Sequence, residues 1–238
     1  QKASELFPQD VTVHDKLVHL LLQYSKKDIL LAEYLRYSKE ILKSSQIEKE
    51  RDKVEEILQN ALQLDPDLLD THLITVEFYA RIHNKEKTTK ATIGLIKTAL
   101  RQKRFDIAEK SCQKILGSEP GNVAARELLV ELFKAKDSIP QAVEELSRLS
   151  DQYLLKQSFE QAIGTYQKAL ELEPNNSSIH KNLVVTYLQS GNTNAATKQC
   201  LILGNLHQTI GALPEASVVY RRALELDPNN IEAHTKLA

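Results

Sequence analysis

The chain has 238 residues, enough for one or two ordinary domains with a sizeable core; 42% are hydrophobic and 26% charged. Only seven Gly and seven Pro occur, a balance that argues against disorder or an all-β fold and favours ordered helices. A net charge of −1 offers no basic footprint for nucleic acid, and no apolar run approaches the roughly 18 residues that membrane insertion by a helix requires.

The opening stretch, 1–8, reads as the tail of a repeating unit, with Pro8 in a closing position. The lack of any Met, including an initiator, suggests a piece cut from a longer protein. Pro66, Pro120, Pro174 and Pro228 then close similar segments, each 54 residues after the last. Other positions keep that phase: Leu95, Leu149 and Leu203; Ala108, Ala162 and Ala216; Cys112, Tyr166 and Tyr220. Such self-similarity marks a repeat array. The units are 9–66, 67–120, 121–174 and 175–228, with partial units at 1–8 and 229–238, all within one array spanning 1–238.

Unit 9–66 predicts helices over 11–24, 29–44 and 47–64, with Asp28 as an N-cap and four extra residues just before the third helix. Unit 67–120 predicts helices over 68–82, 87–102 and 105–117. In unit 121–174 they fall at 122–136, 140–156 and 159–172, and Pro140 suits a first turn, where its missing N–H costs nothing. Unit 175–228 predicts 177–190, 194–210 and 214–226. Gly191 suits a left-handed C-terminal residue, Thr193 or Asn194 a cap, and Pro214 a helix start. Ala142, Leu146, Leu149 and Tyr153 form a stripe that needs neighbours before and after it, so stacked units would share a continuous core. The expected fold is all-α, a right-handed α-α solenoid with about three helices per unit.

Chemistry finds little purchase. His14, His72, His180 and His234 share one phase, which Arg126 fills in the remaining unit. Equivalent positions three helices apart lie roughly 20–30 Å from each other, far beyond what one metal ion can bridge, so the phase reads as structural. No nucleophile–base–orienter set and no phosphate-cradling Gly-rich loop occurs, so no enzyme activity, metal or cofactor is expected. Cys112 and Cys200 lack metal-type or paired spacing and read as reduced core thiols, as in a cytoplasmic protein. Unit 67–120 is the most basic, and Lys87, Lys90, Lys97 and Arg101 recur at helical spacing on one face of its middle helix. That stripe is either a solvated face or a dock for an acidic partner segment.

These residues together resemble the tetratricopeptide repeat family. Before Pro228, Leu203-Gly204, Ala216, Tyr220 and Ala223 match its pattern; before Pro174, Leu149, Tyr153, Ala162, Tyr166 and Ala169 do. Before Pro120 the match is Leu95, Ala108 and Cys112, with Ile115 where alanine is usual. Family members repeat every ~34 residues as two helices. Here the middle helix would serve two overlapping hairpins, as in long arrays resembling bacterial scaffold proteins. The resemblance implies a protein-binding scaffold, with peptides lying along the first helix of each hairpin. By position the exposed residues are Asp70, Leu73, Glu77 and Arg81, then Glu127, Glu131 and Lys134, then Lys181, Val185, Leu188 and Gln189. The family's carboxylate clamp needs Lys and Asn four apart on one first helix, but Lys181 is followed by Val185, and Leu73 and Glu127 replace the Lys in neighbouring units. Two alternatives stand beside a scaffold: a regulatory arm of a larger enzyme, and a self-assembling array.

Overall fold

The computed structural model describes residues 10–24 and 26–238; Pro8 and the partial unit 1–8 lie outside them. Thirteen helices and no strand occur among the described residues. They are α1 (Val11–Gln23), α2 (Lys27–Lys43), α3 (Arg51–Leu64), α4 (Leu69–Arg81), α5 (Lys85–Arg101), α6 (Phe105–Ser118) and α7 (Val123–Ala135). They continue as α8 (Ile139–Leu155), α9 (Phe159–Leu172), α10 (Ser177–Gln189), α11 (Thr193–Thr209), α12 (Leu213–Leu226) and α13 (Ile231–Leu237). The chain divides into two compact units, up to Ser118 and from Glu119. Within each, every helix packs on its neighbours in sequence, the stacking of an all-α solenoid.

Two kinds of turn, each with a local cause, punctuate the stacks. The tight turns after first and middle helices place His83, Lys103, Asp137, Gln157, Gly191 and Gly211 at positive φ. The residue after each donates its N–H back to the last helical turn, as Asn84 does to Tyr79 (3.0 Å) and Asn192 to Tyr187 (2.8 Å), which satisfies carbonyls the helix end would orphan. After third helices the residue before proline is extended: φ is −142° at Asp65, −130° at Glu173 and −139° at Asp227. The proline ring forbids the helical conformation there, so the helix stops. Asn122, Asn176 and Asn230 then cap the next helix by accepting from Ala125, Ile179 and Ala233 (3.0, 3.1 and 3.1 Å). Pro140 and Pro214 open their helices as expected, and Gly191 has φ 77°.

Three expectations are corrected. The third helix of the first unit starts at Arg51 and not at 47, because Ser44 closes α2: its hydroxyl donates to the Ile41 carbonyl and accepts from the Gln46 N–H. The four extra residues lie in this widened turn, ahead of α3 as anticipated. Asp28 sits inside the first turn of α2 and does not cap it. Asn192, and not Thr193 or Asn194, caps α11 by accepting from Ala195 (3.0 Å).

The small–aromatic–small phase forms the core of the second stack. Ala162, Tyr166 and Ala169 of α9 are buried with Leu146 of α8 and Leu183 of α10; Ala216, Tyr220 and Ala223 of α12 are buried with Val184 and Cys200. Burying each tyrosine contributes about 2–3 kcal/mol, provided its hydroxyl keeps a partner. Tyr166 donates to Asp151 Oδ1 (2.9 Å) and Tyr220 to Asn205 Oδ1 (2.7 Å), so both hydroxyls are satisfied.

Candidate functional site

The His/Arg phase ties first helices to the proline turns before them. The Nε2–H of His72, His180 and His234 donates to the carbonyl of Pro66, Pro174 and Pro228 (2.8, 2.8 and 2.9 Å). Arg126 does the same to Pro120 (3.1 Å). The far side of the ring or guanidinium meets the middle helix: His180 Nδ1 accepts from Gln199, and Arg126 pairs with Glu145 (2.5 Å). His14 pairs with Glu33 (3.1 Å) and stacks on Tyr37. At His72, Arg126 and His180 one polar residue thus fastens first helix, proline turn and middle helix together, and no metal-ligating cluster occurs among the described residues.

On this frame the second stack carries two grooves. The first, ≈ 480 Å³, runs between α7 and α9 with α8 as its floor. Glu127, Glu131 and Lys134 form one wall, Gln161, Gly164, Thr165 and Lys168 the other, over Leu146, Leu149 and Tyr153. The second, ≈ 570 Å³, runs between α10 and α12 over α11. All eleven residues lining the first, advanced by 54, line the second. They are one groove in two versions with different chemistry. Glu131, Lys134, Gly164 and Thr165 are replaced by Val185, Leu188, Val218 and Val219, so the second is apolar with Lys181, Glu215 and Arg222 at its rim. Val185 and Val218 are 46% and 66% exposed, open to a partner's side chains.

The sequence-derived residues divide accordingly. Glu127, Glu131 and Lys134 line the first groove and Lys181, Val185 and Leu188 the second, while Gln189 lies one step past it. Asp70, Leu73, Glu77 and Arg81 are exposed along α4, with Asp70 3.9 Å from Lys39. Lys90 and Lys97 are exposed on α5, but two members of the basic stripe are engaged within the chain. Lys87 pairs with Glu55 of α3 and lies over the Tyr79 ring; Arg101 pairs with Asp67 (2.7 Å). The hydrogen bond from Lys87 holds the Glu55 carboxyl below the usual range, and burial beside that carboxylate pushes Tyr79 up to about 12.

Sequence reasoning missed the opposite walls, on the third helices: Gln161, Gly164 and Lys168, and Glu215, Val218 and Arg222. Their signal was the same 54-residue phase, read at exposed positions of the third helix. The floor holds no poised nucleophile: Cys200 is buried, and burial pushes its thiol up to about 11. Among the described residues no helix is long and apolar enough to cross a membrane.

A family described as TPR repeat matches residues 151–191 and 204–238. No curated protein matches the chain. Among solved structures, BtubC of P. vanneervenii is similar at 14% identity and TM-score 0.38, over 97% of this chain and 88% of that one. PilF of Pseudomonas aeruginosa is similar at 14% identity and TM-score 0.32, over 88% and 97%. TTC0263, a thermophilic TPR protein of Thermus thermophilus, is similar at 21% identity and TM-score 0.24, over 76% and 96%.

Proposed function

We propose that this chain, whose residues 151–191 and 204–238 match the tetratricopeptide repeat family, docks an aliphatic partner segment in the groove between α10 and α12. The repeats make it a protein-interaction scaffold in general terms; the groove is where this reading places the partner. The observation that carries it is the change from polar to apolar lining between two equivalent grooves. Val185, Leu188, Val218 and Val219 offer branched apolar surface on two walls, and the helices behind them are fastened by the histidine and proline contacts. Such a site needs little rearrangement to accept a segment. In this reading the chain carries out no chemistry of its own.

The test is a selection of phage-displayed peptides on the whole chain, followed by titration against Val185→Asp and Val218→Asp. Both positions are exposed, so folding should be unaffected while the selected peptides lose about tenfold or more in affinity. Peptides that bind both variants as tightly as the parent chain, or a selection that enriches nothing, would remove this reading.

A further inference from the structure

Side-chain contacts in the second stack reveal which helices lie side by side. Tyr166 of α9 donates to Asp151 of α8 (2.9 Å) and Gln167 of α9 donates to Tyr187 of α10 (3.4 Å), so α8 and α10 both pack against α9. Asn205 of α11 donates to Glu232 of α13 (3.2 Å), and Lys236 of α13 donates to Gln208 of α11 (3.2 Å), so these two helices are also neighbours. The grooves place α7 beside α9 over α8, and α10 beside α12 over α11. Helices therefore alternate between two layers, with α7, α9, α11 and α13 in one and α8, α10 and α12 in the other. Each unit contributes three helices, an odd number, so equivalent helices of successive units fall in opposite layers.

Resting on the groove reading above, we infer that the two grooves open on opposite faces of the 119–238 stack, and that the α10–α12 groove takes a short aliphatic segment bearing a carboxylate. A segment in that groove cannot run on into its counterpart, because the counterpart opens on the other side. The carboxylate follows from Lys181: it is exposed at the rim and has no ion pair among the described residues, whereas its equivalents are Leu73 and Glu127. Of the other rim charges, Arg222 is held by Glu225 (2.5 Å) and Glu215 stands on the α12 wall. The counterpart groove has Glu127 where Lys181 stands and Glu131 and Lys134 where Val185 and Leu188 stand, so it offers the same segment neither the matching cation nor the apolar wall.

The arrangement can be read without any ligand. In the double variant Lys168→Cys, Arg222→Cys, biotin is attached at each new thiol and monovalent streptavidin is added. Cys112 and Cys200 are buried, so labelling goes to the introduced positions. Two streptavidins per chain by light scattering is the expected result. One per chain overturns the inference, since two cannot sit side by side across the roughly 20–30 Å that three helix steps span on one face.

The occupant is tested with a short fluorescent peptide of alternating leucine and glutamate, and a leucine–lysine peptide as its control. The first should bind and weaken about fivefold in Lys181→Glu. In the single variants it should compete with streptavidin attached through Arg222→Cys and ignore streptavidin attached through Lys168→Cys. Equal binding of both peptides, or no binding by either, defeats the assigned occupant. Binding that ignores Val218→Asp defeats the groove reading itself, and displacement by the label in Lys168→Cys defeats only the two-faced arrangement.

Discussion

Gly204 on α11 is the seat of the Tyr220 ring on α12: a β-carbon added at Gly204 would lie 2.8 Å from both Cδ1 and Cζ of that ring. Tyr220 is 2% exposed and its hydroxyl is tied to Asn205, so it cannot swing aside without losing both contacts. Across the units, bulk on the middle helix trades against bulk on the third. Gly204 accompanies Tyr220, Ser150 accompanies Tyr166, and Ile96 accompanies Cys112, all of them buried. Gly204→Ala should therefore cost about 1–3 kcal/mol by overpacking. Gly164, inside α9 with open space where a β-carbon would go, is the control: Gly164→Ala should stabilise by about 0.5–1 kcal/mol. Urea denaturation of the two variants should move in opposite directions.

Among the described residues, four of the six left-handed turn residues are not glycine. A side chain at positive φ crowds its own backbone, a cost that glycine avoids. His83→Gly, Lys103→Gly, Asp137→Gly and Gln157→Gly should each raise stability by about 1 kcal/mol, while Gly191→Ala and Gly211→Ala lower it by a similar amount. Thermal midpoints of the six single variants check this, and a loss in the first four would contradict the turn geometry.

The Arg126–Glu145 pair occupies the place that His180 and Gln199 take one unit later. Arg126 is 8% exposed, so Glu145→Gln leaves a buried guanidinium short of its countercharge and should cost about 3 kcal/mol. Adding Arg126→His installs the His–Gln pairing already used in the next unit and should recover most of that loss. A double-mutant cycle by denaturant titration measures the coupling; simple additivity would show that the two positions do not act as a unit.

Lys87 and Glu55 clip α5 to α3. The Glu55 carboxyl is held low, so the folded state takes up its proton less readily than the unfolded chain. The clip's contribution is thus present above the ordinary carboxylate range, about pH 4, and is lost as pH falls through the lower folded value. Lys87→Gln should lower the urea midpoint near neutrality and converge with the parent chain at about pH 3. A constant difference across that range would mean the pair contributes nothing through its charge.

Helices and turns were legible because their causes are local. Proline, asparagine caps and the small–aromatic–small phase act within a few residues, and the 54-residue recurrence multiplies each signal. The end of α2 and the place of the extra residues were legible, but the start of α3 was set four residues early because Glu48-Lys-Glu-Arg-Asp-Lys53 has good helix propensity. The basic stripe was legible as spacing on one helix, but spacing cannot show that Glu55, thirty-two residues earlier, sits against Lys87. Both groove walls carry the repeat phase, yet each lies on a helix whose exposed face says nothing about the helix beside it but one.

Three helices per unit also set a rule for how such an array can grow or shrink. If the grooves of the 119–238 stack open on opposite faces as inferred above, gaining or losing one 54-residue unit would turn over the helices that follow and send a later groove to the other side. A change of two units at once leaves each groove facing as before. On that arrangement the number of repeats between two proposed docking grooves would act as a parity switch, deciding whether their ligands meet on one surface or are held apart by the thickness of the stack.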